Sequence, residues 1–284
     1  MGRSIDVVIV SFQGKKLLRR CLLSLREHLP PDDTVTVIDN SSGDGTAEIV
    51  AREFPEFELL PQSENLGFSR ATNIGIGAGS APFVLVLNPD TAIEAGTLSP
   101  LLKLLEANPQ IGCCGPVLIR EDGSFDHAAR RSFPTMLSAL GHFSGVGRRL
   151  GSGALAAYRA PEVERGPVDA VNGAFMLLRR EALADVGTFD EGYWMYMEDL
   201  DLCRRLMDGG WITFYESRSR AMHTKAGTTD GRRGPRLNIA FHRGMGRYYR
   251  RHQAPDHGVL VNLVVFAGIG AKLSVSLLRE AIRS

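Results

Sequence analysis

The 284-residue chain lacks both of the glycine-rich loops that hold nucleotides by their backbone alone. There is no GxxxxGK[ST] segment, which excludes a phosphate-cradling P-loop. The nearest approach to a dinucleotide fingerprint, Gly75-Ile76-Gly77-Ala78-Gly79, has Ser80 where GxGxxG needs its last glycine, and it lies inside or after a helical segment. Any nucleotide must therefore be held by side chains and a metal. The four cysteines, Cys21, Cys113, Cys114 and Cys203, show neither CxxC nor Cys/His ligand spacing, which suits free thiols filling a core in a reducing compartment. Charge of one sign is also missing. Lys plus Arg number 33 against 32 Asp plus Glu, so no global field argues for nucleic acid. No secretion signal is visible, because the apolar core of MGRSIDVVIVSF is too short and reads as a first strand. The one long apolar stretch, Gly258 to Leu278, is interrupted by Asn262 and Lys272 and contains Gly268 and Gly270, which makes it marginal as a membrane span.

What is present is an ordinary globular composition, 44% hydrophobic and 23% charged, long enough for one large domain or a domain with an appendage. Ile5 to Val10 reads as a strand, followed by a helix with Leu18, Leu22 and Leu25 on one face. Thr34 to Asp39 is a second strand that ends in a carboxylate, Ala47 to Phe54 a helix, Phe57 to Leu60 a short strand, and Asn65 to Gly75 a turn entering a helix. Phe83 to Leu87, five apolar residues with β-branched Val84 and Val86, fits a central strand covered on both faces. Pro89 ends it and would bring Asp90 out at the carboxyl end, where open α/β sheets bind their ligands. The simpler alternative is a Pro-Asp turn. Strand and helix alternate here without a hairpin signal, which predicts a doubly wound, mostly parallel sheet.

Further on, Leu98 to Ala107 reads as a helix and Ile111 to Ile119 as an apolar run. The pattern dissolves from Phe125 to Gly166, apart from a possible short helix over Met136 to Phe143, and Arg130 and Arg131 are available there to anionic groups. Val168 to Leu178 is strand-like, and Arg180 to Val186 helical. A run of aromatics and methionines, Tyr193 to Met197, leads directly into Glu198 and Asp199 at the start of a helix. Helix capping explains one or two acids there, but a carboxylate beside apolar surface also gains the basicity of a general base. Trp211 to Tyr215 reads as the last strand, and His223 follows it. With Asp90, His223 would offer one oxygen and one nitrogen ligand, acceptable to Mn²⁺ and tolerable to Mg²⁺. Between Arg218 and Arg251 ten basic residues face a single acid, Asp230.

These pieces in this order resemble the inverting family 2 glycosyltransferases of the GT-A fold, most closely a bacterial rhamnosyltransferase-like branch. The matching segments are VIVSF (8–12), IDNSSGDGT (38–46), NLGFSRATNIG (65–75), LNPDT (87–91), VNGAFMLLRR (171–180) and FDEGYWMYMEDLDLCRR (189–205), all within about the first 225 residues. The resemblance implies a GT-A catalytic domain over 1–225, with a nucleotide-binding half to about 120 and an acceptor half beyond it, followed by a basic, amphipathic helical extension over 226–284. It implies that Ser11 and Asp39 hold the base and ribose of a nucleotide-sugar, and that Asn65, Gly67, Phe68 and Asn73 shape the nucleotide pocket. Asn88 and Asp90 match the ends of the family's DxD motif, with Asp90 and His223 on a divalent cation, Mg²⁺ or Mn²⁺. Asn88 replaces the first carboxylate, so metal dependence is expected to be loosened. Asp199 matches the usual catalytic base, with Glu198 as the other choice.

The resemblance further implies transfer of a sugar from a dTDP- or UDP-sugar, dTDP-rhamnose first, to a hydroxyl of a glycan or lipid-linked acceptor. The basic tract and apolar tail would then suit peripheral binding to the inner, cytoplasmic face of the cell membrane, or else a helical lid on the core. Two rival functions are a sugar-phosphate nucleotidylyltransferase, which needs a more glycine-rich loop than Ser11 to Lys16, and a catalytically silent nucleotide- or glycan-binding module.

Overall fold

A computed structural model describes residues 4–134, 163–224 and 234–282. The predicted short helix over Met136 to Phe143, and Lys225, Arg232 and Arg233 of the basic tract, lie outside these residues.

The amino-terminal half alternates as expected: β1 (Ile5–Ser11), α1 (Lys15–His28), β2 (Thr34–Asp39), α2 (Thr46–Glu53), β3 (Glu58–Pro61), α3 (Phe68–Ala78) and β4 (Phe83–Leu87). These four strands are parallel, in the order β3-β2-β1-β4. Every residue of β4 is buried, because its two faces feed two different cores. Leu85 and Leu87 pack with Ile5, Val7, Ile9 and Leu22, whereas Val84 and Val86 pack with Val8, Phe68, Ile76 and Leu200. The period-two alternation of a doubly covered strand thus explains its continuous apolar sequence.

After β5 (Thr91–Ile93), α4 (Leu98–Ala107), β6 (Ile111–Ile119) and the short β7 (Arg130–Arg131), the chain returns through β8 (Gly166–Pro167), β9 (Ala170–Val171) and β10 (Phe175–Arg179). The Val168 to Leu178 run is therefore broken by a turn into β9 and β10. Strand β10 inserts antiparallel between β4 and β6, making the sheet mixed beyond its parallel half. Next come α5 (Arg180–Val186), α6 (Glu198–Asp208) and β11 (Ile212–His223), which pairs parallel with β6 and antiparallel with β5. The last strand is thus much longer than the Trp211 to Tyr215 reading, and a register shift between Glu216 and Arg220 accommodates its polar middle. Its extra length carries His223 on the sheet itself, opposite Thr91.

A buried ion pair joins the two halves. Asp6 on β1 accepts from the Arg180 guanidinium at 2.7 Å, from the Ala81 N–H at 2.7 Å and from the Thr34 hydroxyl at 2.8 Å, so its buried charge is well satisfied.

The chain ends in a helical hairpin of α7 (Pro235–His252) and α8 (Val259–Ala281). Helix α7 docks on the body through Arg247 and Arg251, both on Asp190, and through His252, 2.7 Å from the buried carboxylate of Asp201. Helix α8 runs back along α7, with Asn238 bonded to Ser276 and Tyr249 to Asn262, each at 2.7 Å. Its outer face is apolar and bare: Leu260 is 79% exposed, Val264 67% and Leu278 62%.

Helix α3 lies close on the sheet because of one glycine. A Cβ at Gly75 would stand 2.4 Å from a methyl carbon of Val8 and 2.7 Å from Ile38, whereas one at Gly77, on the outer side, meets nothing within 4 Å. Gly75→Ala is expected to lower stability by about 1–3 kcal/mol through overpacking. Gly77→Ala should raise it by about 0.5–1 kcal/mol through helix propensity. Urea unfolding midpoints of the two variants check this; equal midpoints would contradict the packing.

Candidate active site

Asp90 stands just past the carboxyl end of β4, in the turn closed by the Thr91 N–H on the Asn88 carbonyl at 3.0 Å. That turn hands the chain into β5, whose pairing with β11 brings His223 beside it. Nε2 of His223 lies 3.5 Å from Oδ1 of Asp90, and its Nδ1 lies 3.1 Å from Oδ2 of Asp126. Asp126 is wholly buried and anchored at its other oxygen by the Ala128 N–H at 3.0 Å. Burial alone would lower the His223 pKa, but hydrogen bonding and charge from Asp126 and Asp90 outweigh it and push the pKa up to about 9. Oδ1 of Asp90 is buried without a hydrogen bond in ordinary geometry. The sequence reading had paired Asp90 with His223 but did not include Asp126.

Asp90 lines a cleft of about 220 Å³, and His223 stands beside its carboxylate, outside the lining. The floor contains Asn88 and Pro89, and the opposite side is built from Gln13, Asn40, Asn65, Gly67, Phe68, Trp194 and Arg236. Asn40, directly after β2, organises this side: its amide nitrogen reaches Asn65 Oδ1 and the Gly67 carbonyl, each at 3.1 Å, and its oxygen accepts the Leu66 N–H at 2.9 Å. Gly67 has φ +82, and a Cβ there would fall 2.5 Å from both the Trp194 ring and its carbonyl. The next N–H, of Phe68, donates to that same carbonyl at 2.7 Å. Only glycine lets the two loops approach this closely.

The expected nucleotide residues divide into two groups. Asn65, Gly67, Phe68, Asn88 and Asp90 line the cleft. Ser11 and Asp39 sit behind it at the ends of paired strands: Asp39 accepts the Ser42 N–H at 3.3 Å, and the Ser11 carbonyl accepts the Asn40 N–H at 2.8 Å. The Ser11 hydroxyl is buried without a partner. Asn73 faces elsewhere. Its side chain accepts the Phe189 N–H at 3.0 Å and donates to the Phe189 carbonyl at 2.8 Å, so it shapes the cleft only by holding the loop that leads to Trp194.

That loop ends at the acid pair. Tyr196 and Met197 have φ of +71 and +75, two successive non-glycine residues in the left-handed region immediately before Glu198. Such strain persists only where surroundings over-determine it, and here the Gly244 face of α7 packs against the Tyr196 carbonyl and the Met197 side chain. Asp199 binds the Arg131 guanidinium at 2.5 Å and the Gly173 N–H at 3.0 Å through Oδ2, and the Leu200 N–H at 2.8 Å through Oδ1. Arg131, expected to be available to anions, is therefore committed to Asp199, and Arg130 lies over the rings of Phe125 and Tyr215. Glu198 is buried, with Oε2 unpartnered. Desolvation, reinforced by the Asp199 charge, pushes its pKa up to about 8. The pair is thus split by its surroundings: Asp199 is bonded to Arg131 and two N–H groups, whereas Glu198 holds its proton at neutral pH.

With this geometry in place, comparison with known proteins is decisive. The family described as "Glycosyl transferase family 2" matches residues 6–187. The chain belongs to glycosyl transferase family 2. It is 34% identical over 254 residues to the N-acetylglucosaminyl-diphospho-decaprenol L-rhamnosyltransferase of Mycobacterium tuberculosis, covering 84% of this chain and 81% of that protein. Its fold is similar to that of the mannosyltransferase PcManGT from Pyrobaculum calidifontis, solved with GDP-Man and Mn²⁺ (TM-score 0.60, 17% identity, 98% of this chain and 76% of that one). It is similar also to S. aureus TarS 1–349 (TM-score 0.58, 13% identity, 96% and 83%). These likenesses show the GT-A type fold. The protein is a glycosyltransferase, which sets aside the nucleotidylyltransferase alternative.

The split acid pair gives this glycosyltransferase a pH signature. Folded Glu198 keeps its proton to about pH 8, whereas an unperturbed glutamate releases it near 4.5. The folded state therefore binds more protons between these values, and the stability this group contributes is full below 4.5 and is lost as pH rises to about 8. Glu198→Gln should remove that loss. Melting temperatures from pH 5 to 8 are expected to shift in favour of the variant as pH rises; parallel curves would contradict the burial assignment.

Proposed function

We propose that the chain is an inverting rhamnosyltransferase that moves rhamnose from dTDP-rhamnose to a hydroxyl of a lipid-diphosphate-linked sugar. The observation that carries the chemistry is the cleft that has Asp90 at its wall, with His223 beside that carboxylate, and Trp194 and Met195 in its lining, the latter three residues before Glu198. The 34% identity to a rhamnosyltransferase acting on a diphospho-decaprenol substrate supports the choice of donor and acceptor. UDP-sugars suit the same pocket logic. In this reading residues to about 120 bind the nucleotide and those from about 121 to 225 bind the acceptor.

The residues fit a divalent cation. Asp90 presents a buried oxygen without a hydrogen bond, and His223 an imidazole nitrogen 3.5 Å from it, held from behind by Asp126. Among the described residues no three His, Cys, Asp or Glu side chains gather to hold an ion alone, so the donor's diphosphate completes the shell. When bound, the cation neutralises charge developing on the leaving diphosphate. Asn88 adds no charge to the site and lines the cleft as a neutral donor and acceptor.

Asp199 is the base. Arg131 and the Gly173 N–H hold its Oδ2, and among the described residues Oδ1 accepts only the Leu200 N–H, leaving a lone pair for the proton of the acceptor hydroxyl. Glu198, its pKa pushed up to about 8, holds its proton at neutral pH beside it. The attack then comes from the face of the anomeric carbon opposite the diphosphate and inverts its configuration. We place the protein at the inner face of the cell membrane, peripherally, because α8 is a 23-residue helix of mean hydropathy 1.9 whose apolar outer face is exposed.

Incubation of the purified chain with dTDP-rhamnose or UDP-sugars, Mg²⁺ or Mn²⁺, and a sugar-diphosphate-polyprenol tests this reading. Rhamnosyl transfer with release of dTDP is expected, and Asp199→Asn should reduce it by about 10²–10⁴-fold while donor binding persists. Full activity of that variant would refute the base. Asp126→Ala should weaken Mn²⁺ binding, measured calorimetrically in the presence of dTDP, by about 10–100-fold. An unchanged affinity would place the ion away from His223.

A further inference from the structure

A second cavity, of about 450 Å³, adjoins the donor cleft at Trp194. Gly192, Tyr193 and Trp194 form one wall, and the α7 residues Arg236, Ile239, Ala240, Arg243 and Gly244 form the other. Trp194 and Arg236 are shared with the donor cleft, so the two spaces adjoin across one stacked pair, with the Arg236 guanidinium 4.4 Å from the Trp194 ring. Arg243 lines the second cavity and not the first.

The charge of this cavity is one-sided. Its lining contains two arginines and no carboxylate. Among the described residues, four of the five other basic side chains of the tract are engaged: Arg218 on Glu216, Arg247 and Arg251 on Asp190, and Arg250 over Phe266. Arg243 makes no ion pair among the described residues, and it is exposed. Seven residues separate it from Arg236, about two helical turns or roughly 10 Å along α7. Two guanidinium groups at that spacing, each with five donors, suit an extended polyanion better than a single carboxylate.

The surroundings bear on the rest of the ligand. The Asn238–Ser276 hydrogen bond sets the carboxyl-terminal half of α8 against the amino-terminal half of α7, the half that also lines the cavity. In that half of α8, Val275 is 47% exposed and Leu278 62%. A diphosphate between Arg236 and Arg243 would thus adjoin the donor cleft and lie on the helix that carries the bare apolar α8.

We infer that this cavity is the subsite for the diphosphate of a polyprenyl-linked acceptor, held by Arg236 and Arg243, with the sugar directed past Trp194 toward the acid pair and the lipid chain laid along α8. The inference rests on the lipid-linked acceptor of the proposed function. Arg243 is then an acceptor-specificity residue, distinct from the groups that hold the donor.

Steady-state kinetics with a sugar-diphosphate-farnesol acceptor and saturating dTDP-rhamnose separate the two readings. Arg243→Ala should raise the acceptor KM about tenfold or more, equivalent to about 1.4 kcal/mol or above, and Arg243→Lys by less. Transfer by the wild type with an unchanged acceptor KM in Arg243→Ala would overturn the subsite alone. No transfer to any lipid-diphosphate acceptor would remove the acceptor reading and the subsite together. Direct binding gives a second measure: with dTDP and Mn²⁺ filling the donor cleft, farnesyl diphosphate should bind more tightly than inorganic diphosphate, and Arg243→Ala should weaken it about tenfold. Equal affinity for the two probes would overturn the lipid path, loss of binding on adding dTDP would put the probe in the donor cleft, and equal displacement by phosphatidylglycerol vesicles would assign the arginines to membrane headgroups.

Discussion

A histidine held between two carboxylates, Asp126 behind and Asp90 in front, is the contact around which the catalytic edge of the sheet is built. It requires the end of β4 and the end of β11 to meet, although 133 positions separate Asp90 from His223 in sequence. The antiparallel pairing of β5 with β11, in the register Thr91 opposite His223, makes them meet. Asp126 brings a third segment to the same place and fixes the imidazole from the protein side. This arrangement favours the imidazolium; were Nε2 to hold a cation, the hydrogen bond from Nδ1–H to Asp126 would keep the ring aligned.

The acid pair is positioned by different means. Strand and sheet hold Asp90 and His223, but Glu198 and Asp199 follow a loop whose last two residues are in left-handed conformation. Contacts from several directions maintain that strain: Asn73 on Phe189, Gly67 on Trp194, and α7 on Asp190, Tyr196 and Asp201. Because α7 also bears the bare apolar α8, the exposed apolar face and the helix that braces the acid pair belong to one helical hairpin.

Much of this was legible in the sequence for identifiable reasons. The continuous apolar run of β4 and the proline that ends it announced a central strand delivering Asp90 to the sheet's edge, and the structure places it there. Local signals could not announce the antiparallel insertion of β10, because periodicity reports burial and not direction. The length of β11 was hidden by Glu216, Arg218 and Arg220, whose charges interrupt the apolar pattern. Glu216 is nevertheless wholly buried, satisfied by Arg165 and Arg218. Asp126 and Asn40 escaped because each reads as an ordinary turn residue. Their roles depend on partners far away in sequence, His223 and Asn65. Asn73 was legible as a polar residue of the α3 entry but not as the clamp on the Phe189 backbone that the structure shows.

The central claim is that one cleft, with Asp90 at its wall, His223 beside that carboxylate and the acid pair beyond Trp194, performs sugar transfer by direct displacement. Nuclear magnetic resonance of the product formed from an anomerically pure nucleotide-sugar tests it most directly. The account predicts a glycoside of inverted anomeric configuration together with one equivalent of nucleoside diphosphate. A product of retained configuration, or inorganic diphosphate in place of the nucleoside diphosphate, would contradict it.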